Sequence, residues 1–248
     1  MIEKLDYFFK KKNLYDAKYI YIYSDFRIFF ENYKDEPVKS VEKFLKLFTN
    51  KGITCVVPSF SYTTSGIFDL KKTKSKVGFL SSYIIKNLKH ERSEHPLFSF
   101  VAIGKNKKIV KNIGKSAFGK KSVHYKLYKK NTYFLNLFRP LKEGNTLVHH
   151  IEQMNNVKYR YDKSFKTKVL IGKNKVLNNY KAFLRKSVDD KNYAFTFRKI
   201  NKDLMKKKFM SHIVYKKSNI NIYSYDNFYE YLNFLIKKDK NIFVKKNT

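Results

Sequence analysis

Cysteine is almost missing from this chain. Cys55 is the only one, so an intramolecular disulfide framework is excluded. There is no tryptophan, and eight glycines and four prolines in 248 residues leave little material for long disordered linkers. Acidic side chains are scarce, 20 against 54 basic ones, for a formal charge of +34. No apolar run approaches the roughly 18 uninterrupted residues that a membrane span needs. The start, Met1-Ile2-Glu3-Lys4-Leu5-Asp6, lacks the order of charge, apolar stretch and small residues that marks a signal peptide. The expectation is a cytoplasmic protein. Zinc-type Cys/His spacing and the H-E-x-x-H pattern are missing too, so no structural metal is expected.

What is present is apolar and aromatic: 43% of the chain is hydrophobic and 17% of the chain is aromatic, enough for a packed core. Cys55 sits in Ile53-Thr54-Cys55-Val56-Val57, which reads as a buried strand, and nothing near it in sequence would lower a thiol pKa. The positive charge invites a nucleic-acid reading. Only six of the basic residues are arginines, however: Arg27, Arg92, Arg139, Arg160, Arg185 and Arg198. Arginine is the usual bidentate reader of guanine and phosphate, whereas lysine is a diffuse point charge. The lysines are spread over nearly every predicted element, and the abundance of Asn, Ile, Tyr and Phe matches AT-biased coding. Codon bias and an anionic partner both remain open as origins of the charge, and a small phosphorylated ligand would satisfy the second without DNA.

Periodicity gives the organisation. Residues Ala17 to Tyr23 are β-branched and aromatic and predict a buried strand. Pro37 then opens a helix, with Val38, Val41, Phe44, Leu45 and Phe48 at helical spacing and Gly52 as terminator. A second strand, Ile53 to Val57, runs up to Pro58. Strand, helix and strand in about forty residues is a βαβ unit and predicts a parallel pair. Beyond a Ser/Thr/Tyr-rich loop to Lys76, a helix is expected from Gly78 to Leu88, with Phe79, Tyr83 and Ile84 inward. Strands follow at Phe98 to Ile103 and Tyr133 to Phe138, then a short helix from Asn145 to Met154 with Asn145 as its cap. Alternation at Phe195 to Phe197 and Ile220 to Tyr223 predicts antiparallel strands, and Asp226 to Ile236 a last helix with Phe228, Tyr231, Leu232 and Leu235 on one side. The expected fold class is α/β: a single domain over residues 1–248 with a mixed central sheet, parallel at its βαβ start and antiparallel toward the C-terminus, flanked by helices.

His149 and Glu152 are the strongest chemical candidates. At i and i+3 on a helix they share a face, where a carboxylate can orient an imidazole and raise its basicity. His150 points off that face and reads as a packing or surface residue. The segment Arg92-Ser93-Glu94-His95-Pro96, followed by Ser99, is a Pro-broken polar loop that feeds a strand.

These segments together resemble the aminoglycoside 3-N-acetyltransferase family. The matching residues are Thr146, His149 and Glu152; Arg92, Ser93, His95, Pro96 and Ser99; Gly52, Thr54, Pro58 and Phe60; Phe68, Asp69 and Gly78; Gly119 and Ser122; and Tyr159, Arg160 and Lys163. Order and approximate spacing agree from about residue 17 to the C-terminal helix. The chain departs from the family at the end of the first strand, where Tyr23-Ser24-Asp25-Phe26 replaces a His-x-Ser turn and Phe29-Phe30 stand in place of a glycine. It also lacks the Gly-rich pyrophosphate loop of the commoner acetyltransferase superfamily.

The resemblance implies transfer of an acetyl group from acetyl-CoA, as co-substrate, to a primary amine of an amino sugar. His149 would act as general base, with Glu152 either orienting it or holding the substrate ammonium. Ser24, Arg92, Ser93 and Ser122 are the candidates for coenzyme A, and Tyr62 and Asp69 for the sugar. Asp69, Glu143, Glu152 and Asp162 are the acidic residues available to a polycationic acceptor. A strongly basic surface equally suits a nucleotide-linked amino sugar of surface-glycan synthesis. A non-catalytic binder of nucleic acid or an anionic surface is the alternative of a different class. Its affinity would fall linearly with log salt and ignore His149. The Tyr and Phe residues fall mainly at core periodicity, which disfavours it. A third reading is a homologue that keeps the fold and binds sugar without turnover. The sequence carries no signal of oligomeric state.

Overall fold

The computed structural model describes residues 1–33, 36–139, 145–186, 198–215 and 218–244. In chain order the elements are α1 (Ile2–Lys11), β1 (Tyr19–Ser24), α2 (Arg27–Asn32), α3 (Pro37–Thr49), β2 (Thr54–Pro58), β3 (Ile67–Asp69), α4 (Phe79–Asn87), β4 (Glu91–Arg92), β5 (Phe100–Ile103), α5 (Val123–Leu127), β6 (Thr132–Leu137), α6 (Thr146–Met154), β7 (Arg160–Ile171), β8 (Asn174–Arg185), α7 (Arg198–Lys206), β9 (Met210–Tyr215), β10 (Ser218–Ser224) and α8 (Tyr225–Lys238).

A seven-stranded sheet carries the molecule, in the order β4-β5-β2-β1-β6-β10-β9. β1 lies between β2 and β6 and is parallel to both, with Tyr19 opposite Thr54 and Thr132. The remaining pairs in this sheet are antiparallel. The parallel start and antiparallel C-terminal part expected from the sequence are therefore both present.

The period of two along a strand splits the core in half. Tyr19 and Tyr21 of β1 join Val56, Phe134 and Tyr223 on one face, under α5, α6 and α8. Ile20 and Ile22 join Cys55, Val57, Leu135 and Ile222 on the other, under α1, α3 and α4. Both faces are covered, which explains why β1 and β2 read as continuous apolar runs. Cys55 is fully buried, and desolvation pushes its thiol well above the usual range.

The helices follow their patterns with two corrections. Val41, Phe44, Leu45 and Phe48 of α3 are buried, but Val38, in the first turn, is half exposed, and Ser40 takes the inward place. In α4, Leu80, Tyr83 and Ile84 are buried, whereas Phe79 begins the helix and lies 41% exposed against the rings of Phe26 and Phe30. Asn145 caps α6 by accepting from the Leu147 N–H at 3.2 Å. The strand expected at Phe195 to Phe197 lies outside the described residues, while Ile220 to Tyr223 lies within β10.

A second sheet, β3-β7-β8, was not expected. β7 and β8 form a long antiparallel hairpin that turns at Gly172-Lys173, with Ile171 paired to Asn174 and Gly172 at φ +65°. β3 adds to β7 in parallel within the loop between Pro58 and Lys76. A small core of Phe68, Leu70, Val169 and Tyr180 closes this sheet. No helix among the described residues is long and apolar enough to cross a membrane.

Candidate active site

The α6 helix brings His149 and Glu152 together as their spacing requires. His149 Nδ1 lies 2.8 Å from Glu152 Oε2. The imidazole keeps 26% of its side-chain surface, while the carboxylate keeps none. Tyr159 donates to Oε1 at 2.9 Å, and Arg160 Nε sits 2.7 Å from Oε2. A buried carboxylate needs such partners, since an isolated one would be strongly disfavoured. Burial lowers the Arg160 pKa, opposed by Glu152, and burial with the Glu152 charge raises that of Tyr159. Of the two roles open to Glu152, this geometry serves orientation of His149. Direct contact with a substrate ammonium is not available to a carboxylate with both oxygens engaged and no exposed surface.

The opposite side of α6 is a network of neutral histidines. His124 Nε2 meets Thr146 Oγ1 at 2.9 Å, and its Nδ1 meets the Tyr225 hydroxyl at 2.9 Å. Thr146 Oγ1 also lies 3.1 Å from the Tyr21 hydroxyl. His150 contacts the Phe118 carbonyl, Ser122 Oγ at 3.3 Å and the Tyr229 hydroxyl at 3.0 Å, so it packs inside rather than at the surface. Burial holds His150 down at about 4 and His124 well below the ordinary histidine value. Thr146 thus ties the start of α6 to the central strand.

Three cofactor candidates, Arg92, Ser93 and Ser122, are buried in this structure. Arg92 is 2% exposed, and its guanidinium donates to Ser99 Oγ at 3.1 Å, the Thr73 carbonyl at 2.5 Å and the Ser59 carbonyl at 2.8 Å. It also lies over the Phe68 ring, and burial lowers its pKa to about 10, which leaves it charged. Ser93 is buried and accepts from the Phe100 N–H at 2.8 Å. Ser122 is buried as the cap of α5, accepting from the Tyr125 N–H at 3.3 Å. None of the three reaches a ligand surface; they hold the walls.

His95 does the same. Its Nδ1 accepts from the N–H groups of Leu97 and Phe98 at 3.3 and 3.2 Å, and its Nε2 donates to the Lys181 carbonyl at 3.2 Å. That pattern requires the neutral ring, consistent with a pKa lowered to about 4 by burial. His95 therefore pins β8 to the loop that carries Pro96.

Ser24 is placed differently. It is half-buried at the end of β1 and lines a small cleft of about 30 Å³ with Tyr23, Pro58, Gly78, Ser81 and Arg139. The order of strand connection reverses here, with β2 on one side of β1 and β6 on the other, both parallel to it, and ligands of open α/β sheets bind at such carboxyl-end switch points. The α4 helix begins at the same cleft and contributes the positive end of its dipole. The sequence reading missed Arg139, which follows β6 and lies over the Tyr23 ring, 5.3 Å from its centre. Its signal was position: an arginine immediately after an apolar strand.

Tyr62 is 46% exposed and adopts φ +52°, unusual for a bulky residue. Its ring packs edge-on against Phe98 at 5.9 Å. Phe98 meets Phe118 at 4.9 Å, and Phe118 meets His149 at 5.6 Å. This aromatic path joins the loop at Tyr62 to the imidazole. Asp69 is half-buried, and its Oδ1 accepts from the N–H groups of Lys71 and Lys72 at 2.7 and 3.0 Å and so caps its own turn. Among the described residues no group of three or more His, Cys, Asp or Glu could hold a metal ion.

Comparison with known proteins agrees with this architecture. Among solved structures, the apoenzyme of aminoglycoside acetyltransferase AAC(3)-IVa matches with a TM-score of 0.68 at 18% identity, covering 91% of this chain and 84% of that one. YokD from Bacillus subtilis matches with a TM-score of 0.68 at 17% identity, over 91% and 90% of the two chains. AAC-IIIb, in binary complex with CoASH, reaches a TM-score of 0.72 at 13% identity over 90% of each. Identities this low establish likeness of fold. A search of curated proteins by sequence found no match. The sequence profile of the aminoglycoside 3-N-acetyltransferases, in contrast, matches residues 37–236, from the start of α3 into α8. The chain belongs to the aminoglycoside 3-N-acetyltransferase family.

Proposed function

We propose that the chain is an N-acetyltransferase that moves an acetyl group from acetyl-CoA to a primary amine of an amino sugar, acting as one domain in the cytoplasm. The observation that carries this reading is the His149–Glu152 pair, backed by Tyr159 and Arg160 and joined by aromatic rings to the Tyr62 loop. The family supports the same chemistry, and a neighbour of like fold, AAC-VIa, has been solved bound to sisomicin.

The residues present fit coenzyme A. Around the small cleft at the end of β1, Ser24, the start of α4 and Arg139 offer contacts for polar and phosphate groups, beside the apolar Ile22, Val57 and Leu80. When bound, acetyl-CoA supplies the activated thioester carbonyl.

The chain's own residues handle the proton. With Glu152 fixing the Nδ1 proton, the lone pair of the neutral His149 ring is on Nε2, and that atom accepts the proton from the acceptor ammonium. Glu152 then faces an imidazolium, and Arg160 balances the carboxylate. The net reaction forms an amide at the acceptor nitrogen and breaks the carbon–sulfur bond. Of the two protons that the ammonium nitrogen gives up, one leaves on the coenzyme A thiol and the other is released to solvent through His149.

Incubation with acetyl-CoA and a panel of aminoglycosides and nucleotide-linked amino sugars, read by mass spectrometry, tests the proposal. An N-acetylated product from at least one acceptor is expected. Failure to acetylate any of them, with salt-sensitive binding to nucleic acid instead, would overturn it.

A further inference from the structure

Three of the four carboxylates considered for a polycationic acceptor have partners within the fold. Asp69 caps its own turn, Glu152 is buried with Arg160, and Asp162 accepts from the Gln153 amide at 2.9 Å. Glu143 lies outside the described residues.

A second, open cleft, of about 340 Å³, lies between residues 61–65 and 73–76. Hydroxyl-bearing residues and two lysines line it: Tyr62, Thr63, Ser65, Thr73, Lys74 and Lys76 are among its walls, with no carboxylate among the described residues. A neighbouring hollow that shares Thr64 and Ser65 adds Lys166 and Lys168, again without a carboxylate.

The cleft is built, not incidental. Thr63 N–H donates to the Pro96 carbonyl at 3.1 Å, and Ser61 Oγ donates to the same oxygen at 2.5 Å. The Arg92 guanidinium holds the opposite rim through the Thr73 carbonyl. The Arg92-to-Pro96 segment therefore shapes this cleft, and Tyr62 begins the aromatic path that ends at His149.

Hydroxyls with lysines and no acid recognise a phosphate ester. We infer that this cleft is a phosphate subsite taken by the acceptor, so that the amino sugar carries a phosphate or diphosphate ester, as a nucleotide-linked sugar does. The inference rests on the acetyl-transfer reading above for its acceptor. It separates this chain from a carboxylate-lined receptor for polycations.

The other source of the same chemistry is the phosphates of coenzyme A, and the test distinguishes the two. Inorganic pyrophosphate is titrated by calorimetry into wild type and a Lys74→Gln/Lys76→Gln double variant, each saturated with coenzyme A. Wild type is expected to bind, and the variant to bind at least tenfold more weakly, with coenzyme A affinity changed less than twofold. No pyrophosphate binding by the saturated wild type, or equal binding by the variant, overturns the subsite. A parallel loss of coenzyme A affinity assigns the cleft to the cofactor and overturns the acceptor claim. Kinetics complete the separation: KM for uridine diphosphoglucosamine should rise in the variant and that for glucosamine should not. Absence of turnover with every acceptor would count against acetyl transfer, whereas the pyrophosphate titration reads the subsite independently.

Discussion

Glu152 Oε2 stands between an imidazole and a guanidinium, 2.8 Å from His149 Nδ1 and 2.7 Å from Arg160 Nε. The carboxylate thus links the imidazole at the surface to a guanidinium inside. Glu152→Gln keeps the shape and removes the charge that stabilises an imidazolium. It is expected to lower kcat by about 10²-fold or more while leaving KM for acetyl-CoA nearly unchanged. Steady-state kinetics on both substrates checks this.

Arg160 has a different signature. Arg160→Met leaves a fully buried carboxylate without its countercharge and is expected to destabilise the fold by about 3–5 kcal/mol. Adding Glu152→Gln should recover part of that loss, because the orphaned charge is gone. Denaturant unfolding of the two single variants and the double variant measures the coupling.

Arg92 separates a wall from a ligand contact. Arg92→Met removes donors from the Ser59 and Thr73 carbonyls, which predicts a stability loss of roughly 2–4 kcal/mol. KM for acetyl-CoA should stay within about twofold, whereas KM for the acceptor should rise as the 73–76 rim loosens. Arg139→Gln should do the reverse, raising KM for acetyl-CoA by roughly 10–100-fold, the size of a charged hydrogen bond to phosphate.

The buried histidines set the acid limit. His95 and His150 have pKa values lowered to about 4 by burial, and His124 is lowered further. The unfolded chain, near the ordinary value of about 6.5, takes up protons first as pH falls. Stability is therefore complete above about pH 6.5 and declines toward pH 4, by roughly 3 kcal/mol for each of His95 and His150 across that window. Urea midpoints at pH 7 and pH 5 should show the decline, and His95→Gln should flatten its slope.

Much of this was legible in the chain because it is local. Asn145 as a cap, the i and i+3 spacing of His149 and Glu152, and the alternation of β1 depend on neighbours in sequence. What failed was non-local. Arg92 in a polar Arg-Ser loop looks like a phosphate ligand, yet its partners Ser59 and Thr73 come from other segments and enclose it. Ser122 and Asp69 likewise turned out to serve their own backbone. The β7–β8 hairpin was hidden because lysine occupies so many of its exposed positions that its apolar alternation is thin. Gly172 at a two-residue turn was its one local signal.

The central claim is that His149 is the base. Its most direct measurement is the rate of coenzyme A thiol release from acetyl-CoA in the presence of an acceptor, wild type against His149→Ala. A fall of about 10²–10⁴-fold in kcat, with acetyl-CoA binding retained, is the expected result. Equal rates for the two proteins would contradict the account and move the proton transfer away from α6.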